Sequence, residues 1–436
     1  MENRHCQGQN LQTPLLVCWL IRLEAANGQD FQLGLDLWIK SEETAVMRIY
    51  QFKYVDRFRC DGNKCHAQCC CANWGINIDE AAYQRYHCIK NQGVKNKILG
   101  SIMKSKDGRR YFIKLDEQGR CPLVCKDNLC YIQRNMGAEA LSVICQTYPR
   151  KAVVLGDCQL RSLSMTCPVA AREALFSADG MVLETIDNRR ERDNGFKLLL
   201  RNLRKKKLPP TKAIDSVIVG GVSIMQNANF SREERMLLLG LFFEQLDDMS
   251  LGVDKAEKII DMALAYQTED FQVEAKEIMS GFAFGLTQYQ QIMTELLSEM
   301  AKQQGVLGAL QELQKQVDGY AAMHDKWEKV LESQYGMVMD NLWVQELLHH
   351  GYPFKFEGNF VHNYIVYILS YKMWEVILYG YIAQVDHMLN EDGFMLAINT
   401  YSKIMDHKQK YLSIINAKAT ELEKNSLEVM QLLHVN

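Results

Sequence analysis

Apolar residues at Tyr289, Ile292, Met293, Leu296, Leu297 and Met300 recur at intervals of three and four, which gathers them on one face of an α-helix. The same period links Tyr364, Tyr367, Tyr371 and Trp374, an aromatic stripe whose expected use is core packing, with cation–π contact to an ammonium as the alternative. "SREE" at Ser231 to Glu234 and "DKAE" at Asp254 to Glu257 each set a capping oxygen three residues before a glutamate and just ahead of an apolar run, the pattern of a helix start. Beyond "LPP" at Leu208 to Pro210 a single proline remains, Pro353, so long helices are predicted there. No alternating series is long enough for a doubly wound sheet or a barrel, and no repeat of 20 to 50 residues is present.

The pattern predicts a mainly α fold: an N-terminal, loop-rich cysteine-cluster domain followed by a C-terminal helical domain. Residues 1–46 have little periodicity and read as a weakly structured extension, with "MRIYQFKYVDRF" at Met47 resembling a natural start. Residues 47–175 form the cysteine-rich domain, where Pro122, Pro149 and Pro168 stand at or near cysteines and fix loops. Residues 176–210 form a linker with the basic run "RNLRKKK", and residues 211–436 form the all-helical domain.

Length and charge narrow the possibilities. At 436 residues the chain exceeds what one core holds, and 47% apolar with 24% charged residues is an ordinary globular balance. A net charge of −3 gives no global field to gather nucleic acid, so Arg201 to Lys207 reads as a solvated segment. "LLVCWLI" at Leu15 to Ile21 is too short to span a bilayer, follows one basic residue, Arg4, and precedes no small-residue cleavage site. Neither a membrane nor a nucleic-acid partner is expected, and the location expected is cytoplasmic. "VGGV" at Val219 and "MGAEA" at Met136 lack the spacing of nucleotide-binding loops.

"RFRCDGNKCHAQCCCANWG", residues 57–75, packs five cysteines between Cys60 and Cys71. Disulfides, metal or cluster ligands, and a redox nucleophile compete to explain them. All fourteen cysteines fall at or before Cys167, twelve of them from Cys60 onward, whereas disulfides that stapled a secreted chain would be spread along it. A metal or cluster domain is therefore expected. The spacing Cys60-x4-Cys65-x3-Cys69-Cys70-Cys71, then Cys121, Cys125, Cys130, Cys145 and Cys167, is no zinc-finger pattern, and His66 and His87 do not stand at finger distances. Thiolates suit zinc and iron–sulfur clusters alike, and the surplus over four tilts toward a cluster. Adjacent side chains diverge, so at most one or two of Cys69, Cys70 and Cys71 are expected as ligands. Cys6, Cys18, Cys88 and Cys158 read as small hydrophobes, with Cys125 open. His362, His387 and His407 lack metal spacing, and the pair His349 and His350 is a weak candidate near a helix end.

"FRCDGNKCHAQCCCANWGINID", "CPLVCKDNLCYIQRNMGAEALSVICQTYPR" and "MTCPVAAREAL" together resemble the flagellin lysine-N-methylase family, itself similar to a wider cysteine-cluster family described as zinc- or iron-chelating. The likeness runs from about Met47 to the C-terminus. It is specific in the cysteine region and looser in "NFVHNYIVYILSYKMW" and "INTYSKIMDHKQKYL". It implies methyl transfer from S-adenosylmethionine to lysine side chains of flagellin, with a 4Fe-4S cluster. The cysteines matching the family's are Cys60, Cys65, Cys69, Cys70, Cys121, Cys130, Cys145 and Cys167. Cys71 and Cys125 extend the family pattern, the extension 1–46 has no counterpart, and Ala72 stands where the radical motif C-x3-C-x2-C would need its third cysteine. A metal-stabilised binding module and an iron–sulfur redox protein are the rival functions.

Deleting residues 1–46 is expected to leave solubility, iron content and activity unchanged, because it removes neither a matching cysteine nor a predicted core helix. Aggregation of the truncated protein would show the opposite.

Overall fold

The computed structural model describes residues 48–62, 65, 69–71, 75–186, 195–196, 198–199, 208, 212–249, 251–252, 255–281, 283–302, 307–384, 389–425 and 429–433. The segment 1–46, the basic run Arg201 to Lys207, and Cys6, Cys18, His66, Asp254 and His387 lie outside the described residues, as does the side chain of Cys71. Among the described residues the chain is mainly α, with its strands confined to the N-terminal part.

The described chain runs through β1 (Arg48–Phe52), α1 (Tyr54–Arg57), β2 (Asn77–Ile78), α2 (Glu80–His87), α3 (Gln92–Gly100), β3 (Ile102–Lys104) and β4 (Tyr111–Ile113). Then come α4 (Tyr131–Met136), α5 (Val143–Thr147), β5 (Arg150–Leu155), β6 (Cys158–Leu163), α6 (Pro168–Leu175) and β7 (Leu183–Ile186). The helical half follows as α7 (Lys212–Met225), α8 (Arg232–Asp247), α9 (Ala256–Ala265), α10 (Glu269–Met279) and α11 (Leu286–Ala301). It ends with α12 (Leu307–Asp318), α13 (Tyr320–His350), α14 (Phe360–Gln384), α15 (Glu391–His407) and α16 (Gln409–Leu422).

Two hydrophobic clusters organise these elements. Ile76, Ile78, Tyr86, Ile98, Ile113, Cys121, Leu123 and Ile132 form a small core beneath the sheet β2-β4-β3. A larger sheet, ordered β5-β6-β1-β7, shares one continuous core with the helices. Within it β5 and β6 pair antiparallel from Arg150↔Leu163 to Leu155↔Cys158, and β1 runs parallel to β6. The periodicity search missed this sheet for a physical reason. Every residue of β6 is buried, Gln159, Arg161 and Ser162 included, so no polar face alternates with an apolar one.

The predicted helix signals have counterparts. The six apolar positions between Tyr289 and Met300 are the buried residues of α11. Ser231 caps α8: its hydroxyl accepts the Glu234 amide (3.2 Å) and the Glu234 carboxylate accepts the Ser231 amide (2.6 Å). Tyr364, Tyr367, Tyr371 and Trp374 are all buried on α14, a helix enclosed around most of its circumference. At the end of α13, Gly351 adopts a left-handed φ of 68°. The Tyr352 amide then donates to the Leu347 carbonyl (3.0 Å) and the Gly351 amide to the Leu348 carbonyl (3.1 Å), a Schellman cap. A Cβ at Gly351 would stand 3.0 Å from Val153 of β5, so the cap seats the last turn of α13 on the sheet.

Gly240 sets the approach of α8 to α14, since a Cβ there would stand 2.5 Å from Cζ of the fully buried Tyr364. Gly240→Ala is expected to destabilise the protein by about 1–3 kcal/mol through overpacking, read as a fall in thermal midpoint. An unchanged midpoint would show that the two helices have room to part.

Candidate functional site

The cysteine loops converge by backbone pairing. Cys69 to Cys71 form one 3-10 turn, and the Cys121 amide donates to the Cys70 carbonyl at 2.8 Å, tying the first cysteine loop to the second. An isolated bridge joins Val124 to Cys130, which stands at the N-cap of α4. Cys145 lies in α5 and Cys167 caps α6. Neither sulfur makes a capping hydrogen bond, but the first amides of each helix, at Ile132 and Gln133 and at Val169 and Ala170, favour the thiolate and partly offset burial. Such N-terminal amides stabilise sulfur that carries negative charge.

Electrostatic influence passes among the thiols. Cys70 senses Cys69, Cys121 and Cys145, and Cys130 senses Cys125 and Cys69. Cys167 senses Cys65 and Cys60. The hydrogen bond between the Cys69 and Cys70 thiols lowers Cys69 to about 7 and raises Cys70. Burial pushes Cys167 up to about 12 and raises Cys130. Cys158 lies apart, buried in β6 against the Asp215 carboxyl, and Cys88 is exposed at the end of α2.

A buried polar network adjoins these loops. Tyr148 lies within electrostatic reach of Cys167, Cys69 and Asp406, and its hydroxyl meets Thr166 Oγ1 at 3.0 Å. Thr166 meets Ser164 Oγ at 2.7 Å, and Ser164 donates to Asp406 Oδ2 at 2.6 Å. Asp406, on α15, also faces His349 Nε2 at 3.0 Å and Lys151 Nζ at 3.0 Å. A carboxylate can only accept, so His349 carries its proton on Nε2, and its Nδ1 accepts from Ser162 at 2.8 Å. His350 directs Nδ1 at Lys151 (3.3 Å) and at Lys355, both donors, which leaves its proton on Nε2, 3.2 Å from Glu346. Tyr401 donates to the same Glu346 oxygen at 3.1 Å.

Charge and burial set the protonation of this network. Burial lowers His349 to about 4, helped by the positive charge of Lys151 and opposed by Asp406. Burial and the two lysines hold His350 well below its ordinary value. Burial alone would raise Asp406, but Lys151 and His349 outweigh it and hold its carboxyl well below the usual range. Glu346 is raised to about 7 by burial and by Asp406. His349, His350 and Asp406 are, among the described residues, the one trio of potential metal ligands whose donor atoms all lie within 4.8 Å of one another. Lys151 and Lys355 already bring positive charge to these atoms, and both imidazoles present N–H rather than a lone pair at Nε2. The arrangement therefore works as a buried acid–base cluster.

A sequence model described as the FliB lysine N-methylase C-terminal domain matches residues 222–433. The "Flagellar biosynthetic protein FliU" of Salmonella muenchen is 31% identical over 133 residues, which is 78% of that protein and 30% of this chain. This chain belongs to the FliB lysine N-methylase family. Lysine-N-methylases of Salmonella typhimurium and Salmonella choleraesuis are each 27% identical over 208 residues, 46% of this chain. The match spans about half of those two relatives, 49% of each. No solved structure matches the chain.

The matched FliB domain lies in the helical half, where the resemblance read from the sequence was the looser. It contains Glu346, His349, His350 and Asp406, whereas Lys151 and Ser162 come from the sheet before it and Ser164 directly follows β6. The network thus joins the family domain to the cysteine-bearing part. Sequence reasoning gave His349 and His350 little weight and missed Asp406 and Glu346. The available signal was "LLHHG", whose glycine marks a helix end where two histidines enter one turn.

Glu346 gives the network a signed pH dependence. Its folded pKa lies above the ordinary value of 4.5, so its ionisation erodes stability as pH rises from 4.5 to about 7. Glu346→Gln is expected to be as stable as the native chain near pH 4.5 and to gain on it by up to about 3 kcal/mol by pH 8. Paired unfolding curves test this, and a difference independent of pH would refute it.

Proposed function

We propose that this protein transfers methyl groups from S-adenosylmethionine to lysine side chains of flagellin in the cytoplasm, and that it depends on a 4Fe-4S cluster held by its cysteines. One observation carries the reading: a chain of the lysine N-methylase family sets its thiol loops against a buried acid–base network, the two joined through Tyr148. The substrate class is supported by the relatives' names, lysine-N-methylase and flagellar biosynthetic protein. Among the described residues no helix is long and apolar enough to cross a membrane.

The donor set fits such a cluster. Soft sulfur ligands stand on loops drawn together by the Cys70–Cys121 backbone pair, and Cys130 and Cys167 stand at helix N-termini whose amides favour thiolate. Its ligands, at most four, would come from Cys60, Cys65, Cys69, Cys70, Cys121, Cys130, Cys145 and Cys167. Thiols raised by burial release protons when they ligate iron, so assembly is favoured at higher pH. When bound, the cluster would supply iron able to coordinate the amino-carboxylate of the methyl donor.

The transfer needs a neutral amine. A lysine ammonium gives up its proton, its lone pair forms the C–N bond as the sulfonium C–S bond breaks, and S-adenosylhomocysteine leaves. Release of that proton asks for carboxylates and imidazoles sheltered from bulk water, the groups that Glu346, Asp406 and His349 provide.

Protein isolated without oxygen is expected to be brown and to contain about four iron atoms per chain. Incubated with S-adenosylmethionine and flagellin from the same source, it should raise the intact mass of flagellin in steps of one methyl group, mapped to lysines. Cys65→Ser and Cys130→Ser should lose iron and methyl transfer together, while Cys88→Ser keeps both. Stoichiometric zinc in active, anaerobically isolated protein would overturn the cluster, and an unchanged flagellin mass with an intact cluster would turn the reading toward a redox carrier.

A further inference from the structure

Helices α8, α13 and α14 enclose a cavity of about 310 Å³, near the lower end of volumes that hold small ligands. It does not belong to the network described above. Asp340 lines it, and nine residues of helix, about 13 Å, separate that position from His349.

Five carboxylates line the cavity against two guanidiniums. The guanidiniums are committed: Arg232 pairs with Asp340 at 2.8 Å and Glu332 at 3.0 Å, and Arg235 pairs with Asp340 at 2.7 Å. Lys372 likewise takes up Glu375 at 2.8 Å, so the negative charge in excess is that of Glu233 and Glu328. Burial opposes ionisation of Glu233, yet Arg232 and the Tyr371 hydroxyl outweigh it and hold its carboxyl below the ordinary value. Glu328 and Glu332 are 43% and 60% exposed, so the acidic rim is open to solvent. Deeper in, the walls are the rings of Tyr371, Trp374 and Tyr379, all buried.

Carboxylates over aromatic rings are what a cation that also carries methylenes requires, because ring faces attract positive charge while covering apolar carbon. The chain already uses two of these residues in this way. Lys372, with no exposed surface, sets its ammonium 2.8 Å from Glu375 and over the ring of Tyr371 at 4.9 Å. Tyr320 supplies a second ring at 5.4 Å and a hydroxyl contact at 3.1 Å.

We propose that this cavity is a binding subsite for the alkylammonium group of a lysine side chain, free or methylated. The sense of such a site rests on the methyltransferase reading, since methylation leaves the nitrogen positive and makes it more apolar. Its role is recognition: a substrate offering several lysines is held by one of them, and a lysine already methylated keeps its affinity. Spent substrate sites then help retain the protein being modified.

Calorimetric titration of the full-length protein, without methyl donor, tests the subsite. The probes are Nα-acetyl-lysine methylamide, its Nε-trimethyl derivative and the uncharged acetyl-norleucine methylamide. Both ammonium probes are expected to bind and norleucine not to, with Glu328→Gln weakening binding about threefold to tenfold and Glu233→Gln at least as much. Glu328 is exposed, so its variant folds and carries the test even if Glu233→Gln does not. Equal affinity for the norleucine probe, or no effect of Glu328→Gln, would overturn the ammonium site. Tighter binding of putrescine than of either lysine probe would overturn the lysine assignment in favour of a free diamine. The subsite and the enzyme fail separately: loss of probe binding with flagellin still methylated removes only the subsite, and probe binding without methylation removes only the methyltransferase reading.

Discussion

One buried carboxylate ties the two parts of this chain together. Asp406 on α15 is shared by Ser164 at the end of β6, Lys151 on β5 and His349 at the end of α13. Burying a carboxylate costs several kcal/mol unless ions and hydrogen bonds surround it, so each partner is needed by the others. Removing Lys151 leaves an anion without its cation. The left-handed cap at Gly351 matters for the same reason: without it α13 would not set His349 and His350 over the β5–β6 hairpin, and Asp406 would face a void where it needs donors.

That arrangement makes the thiol loops part of the molecule's core economy rather than an appendage. Their own cluster of apolar residues is small, and a domain of that size gains stability when metal ligation or docking adds to it. Docking runs through Tyr148, whose hydroxyl reaches Thr166 and through it Ser164 and Asp406. Cys167, Cys69 and Asp406 thus all act on the one phenol of Tyr148.

What could be read from the sequence follows from which forces leave a local mark. Helices do: the apolar period of α11 and the capping box at Ser231 are legible because each is made by residues within a few positions. The sheet β5-β6-β1-β7 leaves none, because β1 pairs with a strand more than a hundred residues away and β6 is buried on both faces. The cysteines announce themselves by density, whereas the backbone pair that ties Cys121 to Cys70 joins residues far apart in sequence and leaves no local mark. Asp406 and Glu346 look like ordinary helix-surface acids in "IMDHK" and "VQELL", and only tertiary packing encloses their carboxylates, whose side chains are 7% and 5% exposed.

Helix α13 explains why two charged sites coexist in one apolar half. Over 31 residues it presents acids to the cavity near its middle and histidines to the sheet at its end, with Trp343 and Leu342 fully buried between them. The apolar layer keeps each set of charges from screening or pairing with the other. Without it, Lys151 would lie among more carboxylates than Asp406 and Glu346, and its charge would add less to the burial that keeps His349 neutral. Separation by packed aromatic volume is therefore what lets a single helix serve an acid–base network at one end and a cation-attracting cavity in its middle.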